Sequence, residues 1–444
     1  LDEIDRITLS KQYEFINAVI DETILDENKL DLTIVIQETE KSYVERVDIF
    51  GNNVTQERVI RNELEVDEGD PFNKILHNKS MNNLKSRNIF SKVESEVNTG
   101  STPNQKIIKI EVEEKPTGEI TLGAGVGTTG TTLGFSVSEN NYMGKGIKLS
   151  TSLQMSEESI KGLFSVTNPN FNYSDNAVTT TIESTTTDRM DAYGYQTTKT
   201  GFLLGINFEQ YDDLYIFPRL STYYETLETS NTASSNLKKQ EGNYFDTILS
   251  YDIDLDKRNQ RFQTSDGFRS TFIQSFPLIS ENYAILNGYE FATYHEIFDE
   301  MIASASFYSR AINSMSGDDV RISNRIFLPS RKLRGFEAGK VGPVDSGDFV
   351  GGNYATSLNF ATTLPMVLPS IQSTDFKLFF DAANVWGVDY SDTIDESNKL
   401  RSAAGISVDW FTPIGPLNFS LSQPITKASS DKTETFRFNL GTTF

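Results

Sequence analysis

The residues most able to do chemistry lie in the segment SRKLRGFEAGKVGP (330–343), where Arg334, Gly335 and Phe336 follow one another. Much of the surrounding chain alternates apolar and polar residues, and the alternation stops in this segment. An Arg guanidinium can bind a carboxylate through two parallel hydrogen bonds, and Gly permits a positive φ. Taken alone, the segment favours a loop in which Arg334 is simply solvated. A carboxylate partner in an enclosed site is the alternative.

Histidine and cysteine chemistry has little support in the sequence. The chain contains no Cys, which excludes disulfides, zinc thiolates and a Cys nucleophile. Its two His residues, His77 and His295, are far apart and lie in no local motif. Glu296 follows His295, but adjacent residues of a strand point to opposite faces. We therefore expect no enzymatic activity, no metal site and no cofactor.

Composition restricts the class of protein further. The formal net charge of -22 argues against nucleic acid as a partner, because a phosphate-binding surface needs clustered Lys and Arg. No run of 18 or more apolar residues occurs, so the sequence predicts no transmembrane helix. Transmembrane β-strands need only about ten residues of alternating pattern, so a barrel stays possible. A chain of 444 residues exceeds one ordinary domain unless part of it is a large β architecture.

The sequence divides near Pro116 into two regions of different composition. Residues 42–115 are rich in charge and predict the order β-α-α-β-β, with Thr55 as the N-cap of the first helix. The strand-turn-strand pattern that ends this region also occurs within residues 1–41. We expect 42–115 to be one complete small module and 1–41 to be the C-terminal part of a preceding module. Because no leader precedes Leu1, we expect a processed or truncated form. An unrelated α+β domain is the alternative.

Residues 116–444 carry strand patterns almost throughout, with no helical pattern between them. In ITLGAGVG (120–127) and GISVDW (405–410), for example, apolar residues alternate with polar residues or Gly. A soluble β-sandwich also shows such alternation. The persistence of the pattern, together with abundant Thr, Tyr and Phe that suit interfacial girdles, favours a transmembrane barrel. We expect an antiparallel transmembrane β-barrel of about 16 strands, preceded by the small α+β modules.

Five segments, in order along the chain, resemble the BamA family of outer-membrane assembly factors. They are LRGFEAGKVGP (333–343), GGNYATSLNF (351–360), FFDAANVW (379–386), AAGISVDWFTPIGPLNFSLSQP (403–424) and FRFNLGTTF (436–444). With the modules ahead of them, the resemblance covers nearly the whole chain. It implies periplasmic POTRA modules followed by a bacterial outer-membrane β-barrel at 116–444.

The resemblance also implies where the segment 330–343 lies in the barrel. In the family, the loop that carries this motif folds into the barrel lumen, which implies a lumen loop at 329–352. The motif residues of the lumen loop are Leu333, Arg334, Gly335 and Phe336. The family's Arg contacts acidic residues of the inner wall, and Asp381 matches one of them. The other acid falls at Asn359, which cannot form a charge pair, so we expect Asp381 to be the main anchor.

In the family, the first and last barrel strands pair poorly, and this lateral seam opens sideways. The resemblance places the seam between residues 119–127 and the C-terminal strand. Gly has no side chain to pack, so a Gly-rich edge is less stable. An exposed edge can pair with an incoming strand. The predicted residues of the lateral seam are Gly123, Gly125, Gly127, Phe438, Gly441 and Phe444.

The implied function is an insertase that folds client β-barrel proteins by strand pairing at the lateral seam. The implied partners are outer-membrane lipid, unfolded client barrels and accessory assembly lipoproteins bound through the POTRA module. Glu68 matches an acidic lipoprotein-contact position of the family, and a solvated surface Glu is the alternative interpretation. A two-partner transporter of the same superfamily, which secretes a polypeptide through its lumen, is the alternative function.

Overall fold

The computed structural model describes the chain in eight ranges, and it divides the chain into two compact units. The described ranges are 16–26, 29–38, 42–128, 130–261, 263–298, 301–365, 374–412 and 415–441. The first unit comprises residues 1–119 with the segments 138–149 and 168–174, and the second comprises the remaining residues.

The region before the barrel contains five strands and two helices in its described residues. They are β1 Ile16–Asp26, β2 Lys29–Glu38, β3 Tyr43–Phe50, α1 Glu57–Arg61, α2 Lys74–Ser86, β4 Phe90–Thr99 and β5 Gln105–Glu114. Strands β1 and β2 form an antiparallel pair. In the second sheet the order is β3-β5-β4, with β3 parallel and β4 antiparallel to β5. The β-α-α-β-β order predicted for 42–115 is therefore observed.

The two helices cover one face of the β3-β5-β4 sheet. Ile60 of α1 and Leu84 of α2 are buried in the same cluster as Ile110 of β5. The side chain of Asn73 accepts hydrogen bonds from the first backbone N–H groups of α2, which caps that helix. Within the described ranges, no helix has the length and apolar character needed to cross a membrane.

The expectation that Thr55 caps α1 is wrong. The helix begins at Glu57 after Gln56, and its N-cap makes no side-chain hydrogen bond. The backbone N–H of Thr55 instead donates to the Glu114 carboxylate at 2.6 Å. A carboxylate from β5 thus binds the chain just ahead of the helix, and this tertiary contact leaves no local signal in the sequence.

Sixteen antiparallel strands of the described chain close into a barrel, as the sequence predicted. They are β6 Gly118–Gly127, β7 Gly130–Tyr142, β8 Ile147–Ser156, β9 Ser159–Asn168, β10 Ala177–Arg189, β11 Tyr195–Tyr211, β12 Leu214–Thr229, β13 Gly242–Asp256, β14 Gly267–Ile279, β15 Ala284–Phe298, β16 Met301–Ser314, β19 Tyr354–Thr363, β20 Thr374–Trp386, β21 Arg401–Thr412, β22 Gly415–Thr426 and β23 Phe436–Gly441. Short helices α3 Met190–Tyr193 and α4 Ser235–Lys238 lie between strands.

The period-2 pattern of the sequence decides which side chains face outward. In β20, Asp381 and Ala383 are buried, whereas the alternate residues Leu378 and Phe380 are 49% and 41% exposed. Because the barrel is closed, the buried set faces its interior and the exposed apolar set faces lipid. Closure also satisfies the backbone N–H and C=O groups, which a membrane core cannot solvate.

The connection between β16 and β19 is long and packs against the inner wall of the barrel. It contains the predicted lumen loop and a small hairpin of two short strands, β17 Val344–Asp345 and β18 Asp348–Phe349. Leu333, Phe336 and Val341 of the loop are buried in one cluster with wall residues such as Ala383 and Ala403. This cluster holds the site residues against the wall.

Candidate functional site in the barrel lumen and at the seam

The guanidinium group of Arg334 binds the Asp381 carboxylate through two of its nitrogen atoms. Its Nε donates to Asp381 Oδ2 at 2.8 Å and its Nη2 donates to Oδ1 at 2.7 Å. The backbone N–H of Arg334 donates to the same carboxylate at 3.0 Å. Asp381 is fully buried, and the Arg334 side chain is 19% exposed. The guanidinium carbon also lies 3.5 Å from the centroid of the Phe379 ring, which adds a cation–π contact.

Asn359, where the sequence resemblance placed a second acid, acts as a donor. Its Nδ2 donates to Asp381 Oδ1 and to the backbone carbonyl of Lys332, both at 2.9 Å. Its Oδ1 accepts from the Ser357 hydroxyl. Asn359 and Asp381 are direct partners in the register between β19 and β20. Asn359 therefore orients the carboxylate and holds the loop backbone, without contributing a charge to Arg334.

A second ion pair, which the sequence did not predict, binds the lumen loop. Lys332 Nζ lies 3.3 Å from Glu290 Oε2, and Glu290 also accepts from Arg310 at 2.5 Å. Lys332 also lies 5.0 Å from the centroid of the Tyr308 ring. Burial lowers the pKa of Lys332, and the nearby Glu290 carboxylate acts in the opposite direction. The sequence signal for this ion pair was the presence of an acidic residue, Glu290, in a segment that alternates apolar and polar residues.

Gly335 allows the loop backbone to approach the wall closely. It has a positive φ of 87°, and a Cβ at this position would lie 3.1 Å from the Ser422 Cβ and 3.2 Å from the Ala403 Cβ. A larger residue would be strained both by its backbone conformation and by these contacts. The neighbouring Phe336 is 1% exposed. Both motif residues thus serve close packing of the loop.

The loop is also hydrogen-bonded to the segment that precedes the last strand. Glu434 N donates to the Gly335 carbonyl, and Glu337 N donates to the Lys432 carbonyl, both at 3.0 Å. From β23 itself, Arg437 Nη2 donates to the Phe336 carbonyl at 2.7 Å. The loop backbone is therefore connected to a strand that borders the seam.

Next to the ion pairs lies a polar cavity of about 480 Å³. Its charged lining residues are Arg258, Arg261, Arg331, Lys332, Arg334, Lys377, Asp375 and Asp409. Several of these cations have carboxylate partners, for example Lys377 with Asp409 at 2.7 Å. The lumen beside the loop is thus a wet, charged space in which the loop is held by ion pairs as well as by apolar packing.

In the described residues, β23 pairs with β6 at the joint that closes the barrel. Three register pairs connect the two strands: Asn439 with Gly127, Leu440 with Val126, and Gly441 with Gly125. A Cβ on Gly127 would lie 2.6 Å from the Phe438 carbonyl oxygen, so this position requires Gly. The predicted seam residue Phe444 lies outside the described residues.

The outer face beside this joint is apolar. Ile120 and Leu122 of β6 are 71% and 77% exposed. A shallow apolar groove of about 410 Å³ lies on this face, and it is lined by Leu122, Gly123, Ala124, Leu133, Gly134, Phe135, Leu153 and Met155. Gly123, a predicted seam residue, is part of this groove. Phe438 of β23 stacks on Phe419 of β22, with ring centroids 5.7 Å apart.

Three further residues were predicted or considered as functional. Glu68 Oε1 accepts from the Val47 backbone N–H at 3.0 Å and lies 3.5 Å from Arg61. His77 is buried, with Nε2 2.8 Å from the Ser95 Oγ, and burial lowers the pKa of His77. The exposed His295 lies 3.2 Å from Asp266. Among the described residues, no group of three His, Asp or Glu side chains is arranged to hold a metal ion.

Comparison with known protein families gives two matches. The profile of the Omp85 superfamily domain matches residues 141–444. The POTRA profile, described as a surface antigen variable number repeat, matches residues 42–115. Together these matches cover most of the chain.

Curated relatives include assembly factors from several bacteria. The outer membrane protein assembly factor BamA of Neorickettsia risticii (strain Illinois) is 26% identical over 440 residues, which cover 97% of this chain and 59% of the relative. BamA of Neisseria meningitidis serogroup B is 24% identical over 472 residues, which cover 94% of this chain and 58% of the relative. The chain therefore spans somewhat more than half the length of these relatives.

Solved structures show the same fold. BamA from Haemophilus ducreyi lacking POTRA domains 1–3 has a TM-score of 0.80 at 21% identity, covering 100% of this chain and 92% of that one. CdiB from Acinetobacter baumannii has a TM-score of 0.58 at 11% identity, covering 97% of this chain and 80% of that one.

Proposed function

Because the chain belongs to the Omp85 superfamily and has a POTRA domain ahead of its barrel, we propose that it is an insertase for outer-membrane β-barrel proteins. The barrel lies in the outer membrane and the POTRA domain lies in the periplasm. Relatives named outer membrane protein assembly factor BamA match nearly all of this chain, and none of these names denotes an enzyme. The observation that carries the proposal is the outer face of β6, where exposed apolar residues and a Gly-containing groove lie beside the joint with β23.

The proposed mechanism is strand addition at the lateral seam. Opening the joint breaks the register pairs between β6 and β23, three of which lie in the described residues, and exposes the backbone N–H and C=O groups of β6. A strand of a client barrel then pairs with β6, and the client grows from this edge. The apolar groove beside Leu122 supplies a surface for the outward-facing side chains of the client strand. Hydrogen bonding drives each step, so no covalent chemistry is required.

The lipid around the barrel is the second proposed partner. The exposed apolar residues on the outer face of β6, including Ile120 and Leu122, suit the acyl chains of a bilayer. A joint that opens at this position allows a client strand to move from the seam directly into lipid. The outer-membrane lipid thus surrounds the barrel and also receives the inserted client.

The region before the barrel is proposed to receive accessory lipoproteins. Residues 42–115 form one POTRA module, and residues 1–41 form the C-terminal part of another. The antiparallel pair β1–β2 supports this division, because β4 and β5 also form an antiparallel pair of consecutive strands. We assign residue Glu68 to the lipoprotein contact. Its carboxylate already binds Val47 N–H and Arg61, so Glu68 would present an ordered turn to the partner.

The secretion alternative uses the lumen as a pore. Leu333 and Phe336 are buried against the inner wall, and the loop occupies part of the lumen. This packing favours an insertase over a transporter that conducts a polypeptide. Planar-bilayer conductance distinguishes the two, because a secretion pore should conduct readily and a loop-filled insertase should not.

A lockable seam tests the insertase proposal. The chain contains no Cys, so Val126→Cys with Leu440→Cys creates a single disulfide across the joint. In liposomes, the reduced protein should accelerate the folding of a radiolabelled client barrel, and the oxidised protein should not. The matched control is Thr222→Cys with Thr247→Cys, whose hydroxyl oxygens lie 3.2 Å apart between β12 and β13.

Each outcome has a separate meaning. If the client folds equally fast with and without the reduced protein, the chain is not an insertase under these conditions. If the oxidised seam variant still accelerates folding, the seam mechanism is wrong while the function stands. If the control disulfide also stops folding, rigidity of the whole barrel, and not the seam, explains the effect.

A further inference from the structure

The last strand of the barrel is contacted both by its neighbour β6 and by the lumen loop. On one side, three register pairs join β23 to β6 in the described residues. On the inner side, the lumen loop and the segment before β23 form a short antiparallel ladder, with a bridge between Phe336 and Thr433. Lys432 N donates to the Lys340 carbonyl at 3.1 Å, which extends this ladder. The loop thus contacts the segment that leads into β23, one of the two strands that separate when the seam opens.

Arg437 is the residue of β23 that completes this connection. Its side chain is buried, and its Nη2 donates to the Phe336 carbonyl at 2.7 Å. Its Nε donates to the Glu434 carboxylate at 2.7 Å. Glu434 in turn donates its backbone N–H to the Gly335 carbonyl. Arg437 and Glu434 therefore bind two successive carbonyl groups of the loop motif.

We propose that Arg437 is a positioning residue that couples the seating of the lumen loop to the closure of the lateral seam. The inference deepens the proposed insertase function and rests on it for its biological meaning. Arg437 lies two residues before Asn439, the first residue of β23 that pairs with β6. When the loop is seated, Arg437 holds β23 in register with β6. When the loop leaves the wall, β23 loses its inner support and the joint with β6 opens more often.

The guanidinium group suits this task better than other side chains. It offers several N–H donors in a fixed plane, so one group can bind a backbone carbonyl and a carboxylate at the same time. Gln can donate to the carbonyl but forms no charge pair with Glu434. Lys can bind either acceptor but cannot reproduce the planar geometry.

Amide hydrogen exchange in liposomes tests the coupling at the seam. The amides of β6 near Gly127 should exchange about tenfold faster in Arg437→Gln, the change expected for the loss of one charge-assisted hydrogen bond. Arg437→Lys should lie between Arg437→Gln and the unmodified protein. Arg219→Gln is the matched control, because Arg219 binds Asp252 at 2.7 Å on other strands. It should leave the exchange of β6 unchanged.

A double-mutant comparison separates coupling from simple loss of stability. Arg334→Ala releases the loop and should also accelerate exchange in β6. If the effect passes through Arg437, adding Arg334→Ala to Arg437→Gln should change the exchange of β6 by less than about twofold. Fully multiplicative effects would show that the two residues act independently and would overturn the proposal. Heat-modifiable migration on gels shows that each variant retains a folded barrel.

Reciprocity provides the second readout. A coupling between two sites acts in both directions. Oxidising the disulfide Val126→Cys with Leu440→Cys, which locks the seam, should therefore reduce hydrogen exchange in the loop segment 333–340. An unchanged loop would contradict the coupling. Neither readout includes a client protein. The coupling can therefore fail while the insertase function stands, and the insertase function can fail while the coupling stands.

Discussion

Replacing Arg334 with Ala is expected to release the lumen loop while the barrel stays folded. The substitution removes both side-chain hydrogen bonds to Asp381 and leaves a fully buried carboxylate without its counter-charge. Removing one partner of a buried ion pair costs about 3–5 kcal/mol. We expect about 3 kcal/mol, the lower end of that range, because the Arg334 side chain is 19% exposed. Loss of the cation–π contact with Phe379 acts in the same direction.

A thiol-labelling assay measures this change directly. Ser422 is buried on β22, and a Cβ on Gly335 would lie 3.1 Å from its own Cβ, so the seated loop covers it. Ser422→Cys introduces the single thiol of the chain with almost no change in volume. Its reaction with a maleimide requires the loop to leave the wall. A loss of about 3 kcal/mol should therefore raise the labelling rate on the order of 100-fold.

Two further variants decide whether the ion pair is the cause. Arg334→Lys keeps the charge but loses the planar pair of donors, so its labelling rate should be intermediate. Adding Asp381→Asn to Arg334→Ala removes the unpaired buried charge and should slow labelling again. If Arg334→Ala changes the rate less than about threefold, or if the double variant is labelled faster than the single one, the reasoning from the ion pair is refuted.

Three further outcomes are expected. Glu290→Gln should raise labelling of the same thiol about tenfold, because the half-buried Lys332 loses its counter-charge. Gly127→Ala should accelerate hydrogen exchange in β6, because its Cβ would lie 2.6 Å from a carbonyl oxygen of β23, whereas Gly162→Ala, with open space at that position, should not. Burial lowers the pKa of His77, so stability is complete above the ordinary pKa of about 6.5 and falls as the pH decreases through it. Exchange in α2, corrected for intrinsic rates, should therefore rise below that pH, and His77→Gln should abolish the dependence.

The architecture of the barrel was accessible from the sequence because it depends on a local pattern. Alternation in segments such as ITLGAGVG assigns one face to lipid and the other to the interior, and it repeats often enough to predict about 16 strands. The observed barrel has that number in the described chain. The POTRA elements were accessible for the same reason, since their helical and strand periods differ.

The partners in the lumen were not accessible in this way. Alternation shows that Glu290 and Arg437 face inward, but it does not show which residues face them, because that depends on the register of strands far apart in sequence. The pairing of Arg334 with Asp381 came from motif resemblance, and spacing alone would not have joined residues 47 positions apart. The sequence indicated that Asn359 forms no charge pair, but the hydrogen bond that it donates to Asp381 became visible only in the structure.

The contacts of the lumen loop explain why the loop, the seam and the barrel can differ in stability within one chain. Each long strand of the barrel is held by hydrogen bonds that lipid cannot replace, so separating two such strands is costly. Water in the lumen can replace many of the bonds that hold the loop, because its cations line a polar cavity. The seam is intermediate, because its backbone pairs face lipid but are also supported from inside by Arg437 and the loop. Unseating the loop should therefore open the seam before any other joint of the barrel separates, which is the order of events that the proposed insertion of a client strand requires.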